Sequence, residues 1–173
     1  MDVIYNKYYI YINIKKLKAF KYKFNNSYTL YYHKTNDENW SLDSYKKIYT
    51  FDNIAQFWIL YNNHTCLYNG MYFLMKNNIK PVYEDINNIH GGFWSIKISE
   101  KNINTFWLHI VLDFIGNNLS NKDIINGLSL VFKKRFYIIK IWIKNKKNNN
   151  LKNLNINLDN INKSNILYNN FYN

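Results

Sequence analysis

Side chains able to do covalent or acid–base chemistry are few in this chain. It has 11 carboxylates, four histidines and one cysteine. The only neighbouring carboxylates are Asp37-Glu38 and Glu84-Asp85. Adjacent side chains on an extended chain point to opposite sides, so neither pair forms an acid–base dyad. His33, His64, Cys66, His90 and His109 repeat neither the C-x-x-C nor the H-x-x-x-H spacing of a metal site. His64 and Cys66 offer at most a ligand pair or a thiol nucleophile; scattered surface imidazoles and a half-buried thiol are the plainer account. Among five glycines only Gly91 and Gly92 are adjacent, so no phosphate loop or dinucleotide fingerprint can be written. The sequence therefore reads as a non-enzymatic protein with no metal and no cofactor.

What the sequence has in excess is charge and rings. Lys and Arg number 23, for a net charge of +12, and aromatic residues make up 19%. A basic surface attracts phosphate in any sequence context. The background is saturated with Asn, Lys, Ile and Tyr, residue types an AT-biased coding sequence supplies, so the charge permits a nucleic-acid partner without requiring one. Ring placement says more. Trp40 lies in the polar stretch Lys34 to Ser44, and Tyr83 in a second loop between Pro81 and Glu84. Rings projecting from neighbouring loops can clamp a planar base. Taken singly, each ring could equally lid a hydrophobic edge; their joint placement near Glu84 and a basic hairpin favours the clamp.

The elements that must position these residues follow from periodicity. Tyr28 to His33, Tyr45 to Thr50, Tyr72 to Met75 and Phe93 to Ile98 read as strands, and Gly127 to Lys133 with Phe136 to Ile143 as a hairpin. Asn25 and Asn26 read as loop. Ile54, Phe57, Trp58 and Tyr61 share one helix face behind the amide pair Asn53 and Gln56, which is placed to cap it. Ile103, Phe106, Trp107, Ile110, Val111 and Phe114 share another, with Gly116 at its C-terminal cap. Leu154, Leu158 and Ile161 keep helical spacing in an Asn-rich tail that could also be low-complexity, and Ile166 to Phe171 reads as a last strand. Paired strands interrupted by single helices imply an α+β domain. With 173 residues, the chain divides into a basic, partly ordered arm over 1–26 and one domain over 27–173.

In order and spacing, several segments resemble the eukaryotic translation initiation factor 4E family of mRNA cap-binding proteins. They are Tyr28-Thr29-Leu30-Tyr31-Tyr32, Trp40, Thr50 to Asn62 with Trp58 at its centre, Met75 to Asp85, Gly91 to Trp94, Phe106-Trp107-Leu108, Leu112 to Gly116, and Ile141-Trp142. The resemblance implies a curved antiparallel β-sheet of about eight strands, backed by three α-helices on its convex face. It implies binding of 7-methylguanosine between two rings. Trp40 matches the first, and Tyr83 the second, where the family usually has Trp. Glu84 matches the acid that reads the guanine edge; a loop acid capping backbone amides is the alternative. Trp142 matches the residue beside the methyl group, although it could also be core.

For the cap phosphates the resemblance offers Lys133 in the slot of an Arg, followed by Arg135. A second family Lys is replaced by Ile138, and Lys140, two residues before Trp142 on the same strand face, is the compensating candidate. The family also binds scaffold or repressor proteins through its helices. Trp58, Ile54, Leu108 and Leu112 match that surface, with a core role the default for the three aliphatics. His109 stands where the family has an acid. The implied partners are capped mRNA and an initiation factor 4G-like scaffold or a repressor, with this chain a monomer. A lone Cys66, the absence of a leader-like N-terminus and the short apolar runs Phe57 to Tyr61 and Phe136 to Trp142 imply no membrane span and a cytoplasmic protein, with a nuclear pool allowed. Two alternatives stand beside this reading: a divergent paralogue that represses translation or binds caps weakly, and a small RNA-processing enzyme, for which the carboxylate or metal cluster is missing.

Overall fold

The computed structural model describes residues 22–63, 70–120, 123–159 and 161–172. His64 and Cys66 lie outside them, as do residues 1–21 of the basic arm. Seven strands form one antiparallel sheet: β1 (Lys23–His33), β2 (Lys46–Asn53), β3 (Met71–Lys76), β4 (Gly92–Ser99), β5 (Ile125–Lys133), β6 (Phe136–Ile143) and β7 (Ile166–Asn170). Their order is β2-β1-β3-β5-β6-β4-β7. Two helices, α1 (Ile54–Asn63) and α2 (Ile103–Ile115), pack on one face.

Strand alternation sorts the side chains between the two faces. On β6, Tyr137, Ile139, Ile141 and Ile143 enter the large core under the helices, whereas Trp142 belongs to a smaller cluster on the opposite, open face. From α2, Ile103, Trp107, Ile110, Val111 and Phe114 bury against the sheet. The amide pair caps α1 as expected: Asn53 Oδ1 accepts from the Gln56 N–H at 3.0 Å, and Gln56 Oε1 accepts from the Asp52 N–H at 3.0 Å.

Three expectations need correction. The described residues contain seven strands rather than eight and two α-helices rather than three. The tail forms short 3₁₀ turns at Leu151–Asn153 and Lys163–Asn165. Its asparagines cause this: Asn150, Asn157 and Asn162 each accept from the backbone N–H two residues on, at 3.0 Å, which competes with helix. Leu151, Leu154, Ile156, Leu158 and Ile161 still pack on the core, so the apolar spacing serves packing alone. Thirdly, Asn25 and Asn26 are strand residues, because β1 starts at Lys23. The Asn26 amide bonds Asn77 and Asn117, tying that end to the loops beyond β3 and α2. Gly116 is the C-terminal cap of α2 as expected, its N–H donating to the Leu112 carbonyl at 2.9 Å; the left-handed residue is the next one, Asn117, at φ 58°.

Gly91 and Gly92 are required by close approach. A Cβ on Gly91 would lie 2.0 Å from the Ile143 carbonyl oxygen, and one on Gly92 2.4 Å from that of Asn169. Their absence lets β4 start between β6 and β7. No described helix is long and apolar enough to cross a membrane.

Candidate functional site

On the open face, Tyr31, Met71, Phe73, Met75, Ile79, Val131 and Trp142 form a buried cluster, with Tyr45, Tyr83 and Phe171 packed against it. Trp142 is only 1% exposed, and its indole N–H donates to Ser129 Oγ at 3.1 Å. A buried indole with its one donor satisfied makes a rigid floor.

Trp40 is set at one end of this floor by the β1–β2 loop. His33 Nδ1 lies 2.8 Å from the Lys34 carbonyl oxygen and Nε2 2.8 Å from that of Asn39, so the buried imidazole ties both ends of the loop. Trp40 then lies flat on this imidazole, 4.5 Å away and 4° from parallel, and remains 53% exposed. From there ring contacts run through Tyr45 (4.8 Å from His33) and Phe73 (5.2 Å from Tyr45) to Trp142, 6.0 Å from Phe73.

Tyr83 and Glu84 sit in the loop from β3 to β4, and two buried amides shape that loop. Asn88 donates to the carbonyls of Lys80 at 3.0 Å and Val82 at 2.8 Å. Asn126, at a register irregularity in β5, donates to Asn88 Oδ1 at 2.9 Å and to the Asn87 carbonyl at 2.6 Å. Asp85 accepts from the Lys80 and Asn87 N–H groups, each at 2.8 Å. The acid that caps loop amides is thus Asp85. Its neighbour Glu84 is exposed and hydrogen-bonded to the Tyr172 phenol. Tyr83 is half-buried, stacked on Phe171 at 4.6 Å and tilted against Trp142 at 5.3 Å. Burial, and then the charge of Glu84, push its phenol above the ordinary value.

Lysine reaches the same floor. Lys140 is half-buried, its ammonium 4.0 Å from the centre of the Phe93 ring and 3.5 Å from the Tyr83 hydroxyl. Burial depresses its pKa, and Lys133 depresses it further. Lys133 and Arg135 are exposed at the tip of the β5–β6 hairpin, where Lys134 takes the left-handed turn position at φ 53°. A cation that sequence reasoning missed is Lys97. It pairs across strands with Ile138, and its ammonium stands 4.2 Å over the Phe136 ring. Slot-by-slot reading along β6 cannot see it, because it belongs to the neighbouring strand. His33, Tyr45, Phe93, Phe171 and Tyr172 were missed for the same reason: their relation to the site is tertiary.

The family model for eukaryotic initiation factor 4E matches residues 23–170. The chain belongs to the initiation factor 4E family. Among its relatives, eukaryotic translation initiation factor 4E of Candida albicans is 33% identical over 144 residues, 76% of this chain and 68% of that protein. The Dictyostelium discoideum factor is 30% identical over 137 residues, 74% of this chain and 54% of its own length. Against several curated relatives the chain spans about half of their length. A structure of the Caenorhabditis elegans factor 4E-3, in complex with the 4E-binding protein Mextli and a cap analog, superposes with a TM-score of 0.67 at 25% identity, covering 76% of this chain and 79% of that one. The Ascaris suum factor 4E-3 with m7G cap shares the fold, at a TM-score of 0.66 and 23% identity over 77% of this chain and 79% of that one.

On the helix face of this factor 4E fold, α1 turns Phe57 inward and Trp58 outward; the latter is 37% exposed. Trp58 is edge-on to Phe57 and Tyr61 of its own helix. Ile54, Leu108 and Leu112 are half-buried against the core cluster, and His109 on α2 is exposed. The outward Trp58 and the sandwich candidates therefore sit on opposite faces of the sheet. Among the described residues no group of three or more His, Cys, Asp or Glu could hold a metal ion.

Proposed function

We propose that this factor 4E family member binds the 7-methylguanosine 5′ cap of mRNA on its open face and recruits a helical segment of a scaffold protein to its helix face for translation initiation. The observation that carries the reading is the unbroken row of rings from Trp40 to Tyr83, with the exposed carboxylate of Glu84 at one end and the ammonium of Lys140 beside it. In this reading Trp40 and Tyr83 stack on the base. Methylation at N7 makes the base cationic, so stacking gains a cation–π component that unmethylated guanine lacks. Glu84 accepts from N1–H and the N2 amino group, two donors side by side that only guanine presents this way. Trp142 meets the methyl group. Lys133, Arg135 and Lys140 neutralise the phosphates, and Lys97 adds a charge beside Ile138.

The role is that of a non-enzymatic, cytoplasmic binding protein. A second reading, a paralogue that occupies caps and represses translation, is favoured at one point: an exposed His109 stands on the partner-facing helix where the family has an acid. Titration with 7-methyl-GTP and with GTP, followed by tryptophan fluorescence, tests the cap reading. It predicts clear preference for the methylated nucleotide; equal affinities or no response would overturn it.

A further inference from the structure

The family match ends at residue 170, yet the next two residues touch the site. Phe171 follows β7 directly and is held by the sheet, its N–H donating to the Gly91 carbonyl at 3.2 Å beside the Gly92–Asn170 strand pair. Its ring is stacked on Tyr83 at 4.6 Å and 25°. Tyr172 bonds Glu84, so two consecutive residues engage two consecutive residues of the loop.

The distances among these rings decide which side of Tyr83 is covered. Phe93 is 6.4 Å from Tyr83 and 5.6 Å from Phe171; Trp142 is 5.3 Å from Tyr83 and 4.9 Å from Phe171. With Tyr83 and Phe171 4.6 Å apart, these are compact triangles. Neither Phe93 nor Trp142 can be on the far side of Tyr83 from Phe171, since the separation would then approach the sum of the two distances. Phe93 and Trp142 therefore lie toward the Phe171 side of Tyr83, and Phe171 is the ring stacked on it. Among the described residues no ring contact lies against its other face. Trp40 is arranged alike, with His33 flat against one face and the indole more than half exposed.

We propose that Phe171 is a positioning residue for base stacking: it backs Tyr83, fixes the plane of the ring at the tip of its loop, and leaves the opposite face for the ligand. This rests on the cap reading above. The physical need is plain. A Tyr has a smaller π-face than the usual Trp and sits on a loop, so ordering its ring on binding would weaken the stack unless that ring is already held. Phe171 supplies the hold from a strand end.

The test uses the full chain, with 7-methyl-GTP affinity measured by calorimetry and folding checked by circular dichroism. Phe171→Ala should lower affinity by about two- to tenfold, the range expected for one aromatic pair, and Phe171→Tyr should restore it. Phe171→Leu, which keeps most of the packing volume, should still lose the larger part. In a Tyr83→Ala background the same Phe171→Ala change should have no further effect. Unchanged or increased affinity in folded Phe171→Ala would overturn the proposal, an increase meaning that Phe171 obstructs the base. An equal loss in the Tyr83→Ala background would also overturn it. A ligand-free readout separates this from the cap reading. In the free protein the Tyr83 ring protons should be shifted upfield by the Phe171 ring, and Phe171→Ala or Phe171→Leu should abolish that shift; resonances that do not move would sink the positioning role. If those resonances move but the wild type ignores 7-methyl-GTP, it is the cap reading that falls.

Discussion

The two faces of the sheet use the same strands for different physics. Under the helices, β6 contributes Tyr137, Ile139, Ile141 and Ile143, each at 0% exposure, to a large, mostly aliphatic core. One residue out of phase, Trp142 joins a smaller cluster of rings, methionines and aliphatics, with half-buried Tyr45, Tyr83 and Phe171 packed on it and Lys140 beside Tyr83. The helix face has stability as its product. The open face holds flat surfaces and charges at fixed positions, and its loops are kept in place by amides and ring stacks over a small buried cluster. Packing of the first kind depends on shape and volume. Arrangement of the second kind depends on a few hydrogen bonds whose loss leaves buried groups unpaired.

This contrast can be broken first on the helix side. Ile139→Ala removes fully buried volume and should cost about 2–5 kcal/mol in chemical denaturation, while the protein that remains folded keeps its nucleotide preference. Glu84→Ala should do the opposite, losing about 1.5–3 kcal/mol of 7-methyl-GTP binding and its guanine preference with the melting temperature unchanged, because the side chain is exposed. Asn88→Ala probes the link between the faces. It strips the Lys80 and Val82 carbonyls of their donor, so stability should fall by about 1–3 kcal/mol and nucleotide affinity should fall with it. Tyr83→Trp should strengthen binding by up to about 1 kcal/mol through its larger π-face, read by the same titration. Trp58→Ala should alter stability by no more than about 0.5 kcal/mol and leave nucleotide affinity intact while abolishing capture of a scaffold partner; loss of both would make Trp58 a core residue.

Much of the fold was legible because it is periodic. The alternation of Trp94, Ile96 and Ile98 against Phe93, Ser95 and Lys97 marked β4, and the 3.6-residue spacing with Asn53 and Gln56 marked α1 at its N-terminus. The tail misled for a physical reason. Leu154, Leu158 and Ile161 carry a helical spacing, yet Asn150, Asn157 and Asn162 spend their side chains on neighbouring amides, and local hydrogen bonding won over the apolar pattern. Of the candidate site, Trp40, Tyr83, Glu84 and Trp142 were nameable from order and spacing. The residues that hold them were not. Asn88 and Asn126 are buried at 0% and 3%, but nothing local distinguishes them from the many exposed asparagines.

The sequence by itself determined the class of fold, most strand and helix spans, the lack of a visible catalytic apparatus, and which rings and which acid stand in loops. These are properties of nearest neighbours along the chain: side-chain period, caps, and the residue types a reaction needs. Only the tertiary structure decided that Asp85 rather than Glu84 caps the loop, that Lys97 lies beside Ile138, and that Phe171 backs Tyr83. The last two join residues 41 and 88 positions apart. Contacts at such separation are set by strand order and register, which depend on how all seven strands pack together and on no single segment.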